Sequence, residues 1–245
     1  MSDYTLLAVA LAFGVAGAVK GLSGMGLPTV AITLLSLMMS PLAAASLLVL
    51  PSLATNLVQC VGRFAAALAK RLWPLWAGVL IGVLFSPLPS LGASGGVIKV
   101  MLGSVLTAYG LWGLVGPALP RPGRFEPLTS AAVGYVTGAI TAATGVFVLP
   151  LTPYLNALDL EKEEMIQALG MSFIVCTIAL MLGIGGARVA AAALSMQGAL
   201  ALLAAFGGMY AGSAVRARLN RKAFQRVLFA AFVAVGAGMI LKELT

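Results

Sequence analysis

The chain has 245 residues, of which 61% are hydrophobic and 9% charged, and its mean hydropathy is +1.06. This composition excludes a water-soluble domain, because so few charged side chains cannot cover a surface that faces water. The net charge of +8 does not indicate nucleic-acid binding, since basic residues of a membrane chain usually collect in cytoplasmic loops and set its orientation.

Apolar runs separated by Gly, Pro and charged residues predict ten helical segments. In chain order they lie near 4–19, 28–39, 41–61, 73–89, 97–116, 128–143, 146–157, 165–184, 193–213 and 224–241. Six approach the length that crosses about 30 Å of hydrocarbon as a helix, and the other four form two shorter pairs. The first run follows Asp3 without a preceding basic residue, so we expect mature structure there and no secretory signal.

Both short pairs are interrupted by small residues in a similar order. Residues 17–24 read GAVKGLSG and residues 138–145 read GAITAATG, at a constant offset of 121 residues. The offset aligns Gly with Gly, Ala with Ala, Val with Ile and Ser with Thr. We interpret this as an internal duplication with repeats at 1–120 and 121–245, joined by the Pro-rich basic linker PALPRPGRFEP.

The placement of basic residues decides between two arrangements of these repeats. If each short pair enters and leaves on one side, each half adds three full spans and the halves are inverted. The cytoplasmic loops then hold 11 of the 15 basic residues. They are Arg63, Lys70, Arg71, Arg121, Arg124, Lys162, Arg216, Arg218, Arg221, Lys222 and Arg226. The alternative, one broken span per pair, places the cluster from 216 to 226 outside, against the positive-inside tendency.

The sequence therefore predicts an all-α integral membrane protein with two inverted-topology repeats. Each repeat has a broken or re-entrant helical hairpin plus three transmembrane helices, and both termini lie outside. Backbone broken inside a membrane is tolerated only where protein or a water-filled cavity supplies hydrogen-bond partners. We expect the two breaks to face each other near mid-membrane and to form a substrate site, because helix N-termini at such breaks favour an anion.

Lys20 lies beside the first break in a stretch otherwise free of charge. A charged side chain inside a membrane costs about 3 kcal/mol on insertion scales, which favours a functional role. Snorkelling of Lys20 to an interface is the structural alternative. The matching position in the second half is Thr141, so the predicted site carries one fixed positive charge and favours an anionic substrate.

Hydroxyl and amide groups complete the predicted site. The Ser23 and Thr144 hydroxyls and the amides of the breaks are further donors. Asn56 and Gln59 share one helical face and either line the cavity or hydrogen-bond between helices. The predicted substrate-binding residues are Lys20, Gly21, Ser23, Gly24, Met25, Asn56, Gln59, Thr141, Thr144 and Gly145.

The chain contains no His, and its seven acidic residues fall in predicted loops or at helix ends. A buried proton relay is therefore not expected, and we expect any transport to be driven by the charge of the substrate, with Na⁺ held by backbone carbonyls at the breaks as the alternative. An anion that leaves an inside-negative cell gains about 2.3 kcal/mol per charge per 100 mV, which favours export. Cys60 and Cys176 lack redox or metal spacing, and no catalytic residue, metal or cofactor is predicted.

Three stretches carry a resemblance to a known family. They are the first hairpin GVAGAVKGLSGMGLPTVAITLL, its second copy GYVTGAITAATGVFVLPLTPYL and the basic stretch RARLNRKAFQRVL. The sequence resembles the TauE/SafE family of sulfite-exporter-like membrane proteins over essentially its whole length. The resemblance implies transport of sulfite, of sulfonates such as sulfoacetate, or of related small organic anions.

Other functions stay open at this point. A passive anion channel would use the same residues, and an accessory subunit would transport nothing itself. GLSG at 21–24 matches a pattern of intramembrane serine proteases, but such a serine needs a base, and without His only a Ser23–Lys20 dyad is left. The expected partners are a small anion and the lipid bilayer of an inner or plasma membrane, with no nucleic acid. The oligomeric state is left open, with a homodimer as one option.

Overall fold

The computed structural model describes residues 3–93, 96–216 and 220–244, without the side chains of Asp3 and Arg221. Throughout these ranges the regular structure is helical. The first half contains α1 Asp3–Ser23, α2 Leu27–Ser36, α3 Pro41–Cys60, α4 Ala65–Leu84 and α5 Val97–Val115. The second half contains a 3₁₀ turn Gly123–Phe125 and then α6 Glu126–Thr144, α7 Leu151–Ala157, α8 Lys162–Ile184, α9 Gly186–Ala193, α10 Met196–Val215 and α11 Arg221–Leu244.

Within the described ranges, seven helices are long and apolar enough to cross a membrane: α1, α3, α4, α5, α8, α10 and α11. Their surfaces fit this environment. On α1, Leu7, Leu11 and Val15 follow one another at every fourth residue and are at least half exposed, whereas Val9 and Phe13 are fully buried. An apolar outer face on a helix that also has a buried apolar face is suited to lipid. The prediction of a multi-pass helical membrane protein is confirmed.

Several helix boundaries differ from the sequence prediction. The first helix continues to Ser23, so Lys20 and Gly21 lie in its last turn and the break shrinks to residues 24–26. The fourth helix begins at Ala65 instead of residue 73, because Lys70 and Arg71 are good helix formers that extend the helix beyond its apolar part. The short Ala-rich α9 was not predicted.

Close glycine contacts hold two pairs of helices together. α1 and α10 cross where Gly17 and Gly21 lie against the backbone of α10, while Gly208 and Gly212 lie against the backbone of α1. The four residues form one GxxxG motif on each helix. The order of their contacts shows that the two helices are parallel. A Cβ at Gly17 would collide with the Ala205 carbonyl oxygen, so this crossing requires glycine.

α4 and α6 cross in the same way. Gly78 and Gly82 of α4 meet the backbone of α6, and Gly134 and Gly138 of α6 meet the backbone of α4. This pair is also parallel. Two further pairs run antiparallel. For α3 and α8 this is shown by the contact of Gly170 with Gln59 and the Ser52–Thr177 hydrogen bond. For α5 and α11 it is shown by the contacts of Gly103 with Gly236 and of Gly110 with Phe229.

Both short helices run back along the helix that precedes them. Tyr154 of α7 shares a hydrogen bond of 2.6 Å with Ser130 and donates one of 3.3 Å to the Glu126 carbonyl, so α7 returns to the end where α6 began. In the first half, α1 runs parallel to α3, since Lys20 contacts Thr55 and Thr5 shares a cavity with residues 39–43. α2 therefore leads the chain back to the end where α1 started.

The tips of the two hairpins lie at different depths. Lys20 contacts Asn56 near the end of α3, whereas a Cβ at Gly145 would contact Ala45 near the start of α3. Eleven residues of helix correspond to about 16 Å. The expectation that the breaks face each other at mid-membrane is wrong, because α1 and α6, with 21 and 19 residues, carry the two tips toward opposite ends of α3.

Candidate functional site

The first break is a glycine-capped helix end. Gly24 and Gly26 have φ angles of +83° and +96°, which only glycine adopts without strain. The Gly24 N–H donates to the Lys20 carbonyl at 2.7 Å. The Ser23 hydroxyl donates to the Val19 carbonyl at 2.7 Å and accepts from the Met25 N–H at 3.3 Å. Its single proton is therefore engaged by the backbone.

The second break repeats this cap. Gly145 has a φ angle of +71°, and its N–H donates to the Thr141 carbonyl at 2.8 Å. The Thr144 hydroxyl donates to the Ile140 carbonyl at 2.7 Å and accepts from the Val146 N–H at 3.2 Å. The structure thus places Ser23 and Thr144 as matching caps of α1 and α6.

Lys20 is buried, with 2% of its surface exposed. Its Nζ donates to Thr55 Oγ1 at 3.1 Å and to Asn56 Oδ1 at a very short separation. The Thr55 hydroxyl itself donates to the Pro51 carbonyl at 2.7 Å, so it can only accept from the lysine. The alternative that Lys20 snorkels to an interface is therefore wrong for this structure.

A hydrogen-bonded chain continues from Lys20 to α8. Asn56 Nδ2 donates to Ser52 Oγ at 3.2 Å, and Ser52 lies 2.9 Å from Thr177 Oγ1. Because the Thr177 hydroxyl donates to the Phe173 carbonyl at 2.6 Å, Ser52 is the donor in that contact. The Lys20 chain, as we call Lys20, Thr55, Asn56, Ser52 and Thr177, joins α1, α3 and α8.

No described carboxylate neutralises Lys20. The acidic side chains of the described residues occupy helix ends and loops, where Glu126, Asp159, Glu163 and Glu243 pair with arginines or Lys99. Glu161 and Glu164 form the capping box of α8. A buried ammonium group whose neighbours are neutral oxygens attracts an anion strongly, since the surrounding dielectric is low.

The remaining predicted residues occupy three different places. Gln59 Nε2 donates to the Gly24 carbonyl at 2.9 Å, which ties the first tip to α3, while Met25 faces a cavity between α5, α7 and α11. Gly21 is enclosed in the α1–α10 crossing. Thr141 is fully buried and donates to the Thr137 carbonyl at 2.7 Å. Lys20, Ser23, Gly24, Asn56 and Gln59 therefore lie together, whereas Thr141, Thr144 and Gly145 lie at the other tip.

Sequence reasoning missed three members of the Lys20 chain: Ser52, Thr55 and Thr177. A signal was present, because Ser52, Thr55, Asn56 and Gln59 follow one another at spacings of three, one and three residues. This is a polar stripe on one face of an otherwise apolar helix. Such a stripe inside a membrane indicates hydrogen bonds to other helices.

The Ser23–Lys20 dyad required by a serine protease is not formed. The Ser23 hydroxyl hydrogen-bonds to backbone carbonyls, and the hydrogen bonds of Lys20 Nζ go to Thr55 and Asn56. A nucleophilic serine needs a base within hydrogen-bond reach. The geometry gives no support to proteolysis.

The model of one protein family, sulfite exporter TauE/SafE, matches residues 9–239. The chain belongs to the TauE/SafE family. The match begins within α1 and ends within α11 and takes in every helix between them, so the TauE/SafE resemblance seen in the sequence is confirmed. No curated protein and no solved structure matches the chain.

Proposed function

We propose that this protein is a secondary transporter that exports a small anion, namely sulfite, a sulfonate such as sulfoacetate, or a related organic anion, across the inner (plasma) membrane. Its TauE/SafE membership supports membrane export of sulfite or a related anion. The observation that carries the proposal is the buried Lys20 ammonium group, which is held by neutral oxygens without a described carboxylate partner.

Lys20 has one hydrogen-bond donor left for a substrate. The ammonium group has three N–H donors, and Thr55 and Asn56 engage two of them. The third can donate to a substrate oxygen, and the bond would be charge-assisted and therefore strong. Thr55 and Asn56 fix the position of the charge without neutralising it.

The arrangement of helix pairs supports two inverted repeats, 1–120 and 121–245. α3 corresponds to α8 and α5 to α11 in the two halves, and the members of each pair pack together antiparallel. α1 packs on α10 as α6 packs on α4. Rocking of one repeat against the other around a central site is a common basis of alternating access, and the Lys20 chain joins the two repeats at the α3–α8 contact.

The orientation follows from the basic residues at one end of the bundle. Arg71 binds Glu126 at 2.6 Å and the Leu158 carbonyl at 3.2 Å, and Arg63 pairs with Glu163 at 3.8 Å. The positive-inside tendency places this end in the cytoplasm and both termini outside. An inside-negative potential then drives an anion from this end outward.

Flux measurements in proteoliposomes test this function. The wild type is expected to transport ³⁵S-labelled sulfite or sulfoacetate with saturable kinetics. Lys20→Ala should reduce flux about 100-fold, which corresponds to the loss of a desolvated charged partner. The matched variant Thr141→Ala, at the equivalent position of the second repeat, should retain flux within about threefold.

Three outcomes would overturn the proposal. Equal flux through the wild type and Lys20→Ala removes Lys20 from the site. Absence of flux of both anions in the wild type refutes transport of this substrate class. Discrete single-channel currents with flux that does not saturate would establish a passive channel instead.

A further inference from the structure

A cavity of about 360 Å³ lies between α5, α7 and the start of α11. It is separate from the Lys20 chain and borders the first break only through Met25. Its lining comes from the end of α5 and residues 116–119, from α7, and from Gln225 and Phe229 of α11. Pockets of this size with a mainly apolar lining and a few polar groups are typical of small-molecule sites.

One wall of this cavity is polar. Thr152 is 4% exposed, and its Oγ1 has no hydrogen-bond partner among the described residues. Burial of a hydroxyl without a partner is costly, so this group has a hydrogen bond to gain from a ligand at the cavity. Asn156 follows Thr152 by four residues on the same face of α7, and Gln225 joins them from α11.

An aromatic wall adjoins these polar groups. Tyr109, Trp112 and Phe229 line it, and the rings of Tyr109 and Phe229 meet edge to face with centroids 5.3 Å apart. This contact holds the wall in one conformation. Polar groups beside a rigid aromatic wall suit a ligand with an oxyanion at one end and carbon at the other.

The position of the cavity connects the basic end of the bundle with Lys20. The stretch 116–119 leads to Arg121, which pairs with Asp159 at 2.5 Å, and Gln225 precedes Arg226 in α11, so the cavity lies at the basic end of the bundle. Met25 lies one residue beyond Gly24, whose carbonyl Gln59 binds. An anion in the cavity is therefore next to the tip of the hairpin that carries Lys20.

We propose that this cavity is a loading site for an organic anion of the sulfonate type on its way to Lys20. The Thr152 hydroxyl donates to the oxyanion, Asn156 and Gln225 supply further donors, and the carbon part lies against Trp112 and Phe229. The inference rests on the transport function proposed above, and it adds a second binding site that acts before Lys20.

Sided transport measurements test the loading site. Thr152→Val keeps the shape of the side chain and removes the donor, and it should raise the KM for sulfoacetate about tenfold when the anion is presented at the face with the linker 116–122. Tenfold matches one hydrogen bond to a charged group. The KM from the opposite face should not change. The control Thr33→Val removes another buried hydroxyl, which donates to the Thr29 carbonyl within α2, and should leave both KM values unchanged.

A binding measurement independent of flux separates this inference from the proposed function. Ala118→Cys, in a chain with Cys60→Ser and Cys176→Ala, provides one exposed thiol at the cavity without removing a proposed donor. Sulfoacetate should slow its reaction with a negatively charged methanethiosulfonate reagent about tenfold, as expected at ten times the Kd. Unprotected labelling, or a KM for Thr152→Val that is unchanged or that rises equally at both faces, would overturn the loading site. Protected labelling in a chain without flux would refute only the transport function.

Discussion

The two hairpin tips share one backbone design and differ in chemistry. Each first helix ends in a hydroxyl side chain that bonds back to the carbonyl four residues earlier, followed by a glycine with positive φ. At the position three residues before the hydroxyl, the first tip has Lys20 and the second has Thr141. Lys20 reaches across to α3, whereas the Thr141 hydroxyl bonds to carbonyls of its own hairpin.

This difference separates the features that belong to the fold from those that the proposed substrate site requires. The caps of the breaks occur in both halves, and each glycine crossing joins one helix from each half, so both features belong to the fold. Among the described residues, the buried cation without a carboxylate partner and its acceptors Thr55 and Asn56 lie in the first half. A binding function is therefore expected from the positions where the repeats differ.

The largest expected effect comes from neutralising the cation in place. Asn56→Asp puts a carboxylate against Lys20 Nζ and should form an ion pair, which removes the attraction for an anion. We expect flux to fall about 100-fold while thermal stability is retained or raised, since the charge gains a partner. The measurement is proteoliposome flux beside a melting curve in detergent.

The control for this variant is Asn56→Leu, which removes the acceptor but leaves the charge unpaired. It should lose stability and retain more flux than Asn56→Asp. Wild-type flux through Asn56→Asp would contradict an unpaired Lys20 as the anion site.

A lysine in the second tip should damage the fold. Thr141 is fully buried, and its hydrogen bonds go to backbone carbonyls, so Thr141→Lys brings in a charge without the side-chain acceptors that Lys20 has. We expect a loss of about 3 kcal/mol in stability, measured as the yield of inserted protein and its Tm. Thr141→Val is the control. A Thr141→Lys variant as stable as the wild type would contradict the view that a lysine at a tip needs the side-chain acceptors that Lys20 has.

Alanine substitutions in the two glycine crossings should lower the stability of the protein by similar amounts. Gly17→Ala and Gly138→Ala each place a methyl group against a backbone carbonyl of the partner helix and should cost about 2 kcal/mol by overpacking. Gly14→Ala is the matched control, because a Cβ at Gly14 meets nothing within 4 Å. Unfolding in denaturant measures the difference, and equal stability of Gly14→Ala and Gly17→Ala would contradict the close crossing.

The sequence predicted the number and order of the hairpins, the approximate positions of their breaks and the lysine beside the first break, because hydropathy, glycine and an isolated charge are direct signals in a membrane chain. It misplaced the depth of the tips, since Lys20 and Gly21 are compatible with helix and only the tertiary crossing with α10 shows that α1 continues through them. It missed Thr177 because a single threonine on a long apolar helix has no pattern of its own. The cavity at Thr152 requires α5, α7 and α11 together, which no local pattern contains.

The smallest expected effect concerns a cation that already has a partner. Lys99 binds Glu243 at 2.9 Å, and their side chains are 42% and 21% exposed. Ion pairs with this exposure contribute less than about 1 kcal/mol. Glu243→Gln should therefore change Tm by only a few degrees and leave flux unaltered, in contrast to Lys20. A loss of flux in Glu243→Gln would place this pair on the transport route.

The most direct test of the central claim is equilibrium binding of ³⁵S-labelled sulfite and sulfoacetate to the purified protein. The wild type and Thr141→Ala should bind the same anion with similar Kd values. Lys20→Ala, verified as folded by its melting curve, should bind that anion at least about 30-fold more weakly, as expected for loss of a buried charged partner worth 2 kcal/mol or more. Equal affinity of folded Lys20→Ala and wild type would contradict the claim that the ammonium group of Lys20 holds the transported anion.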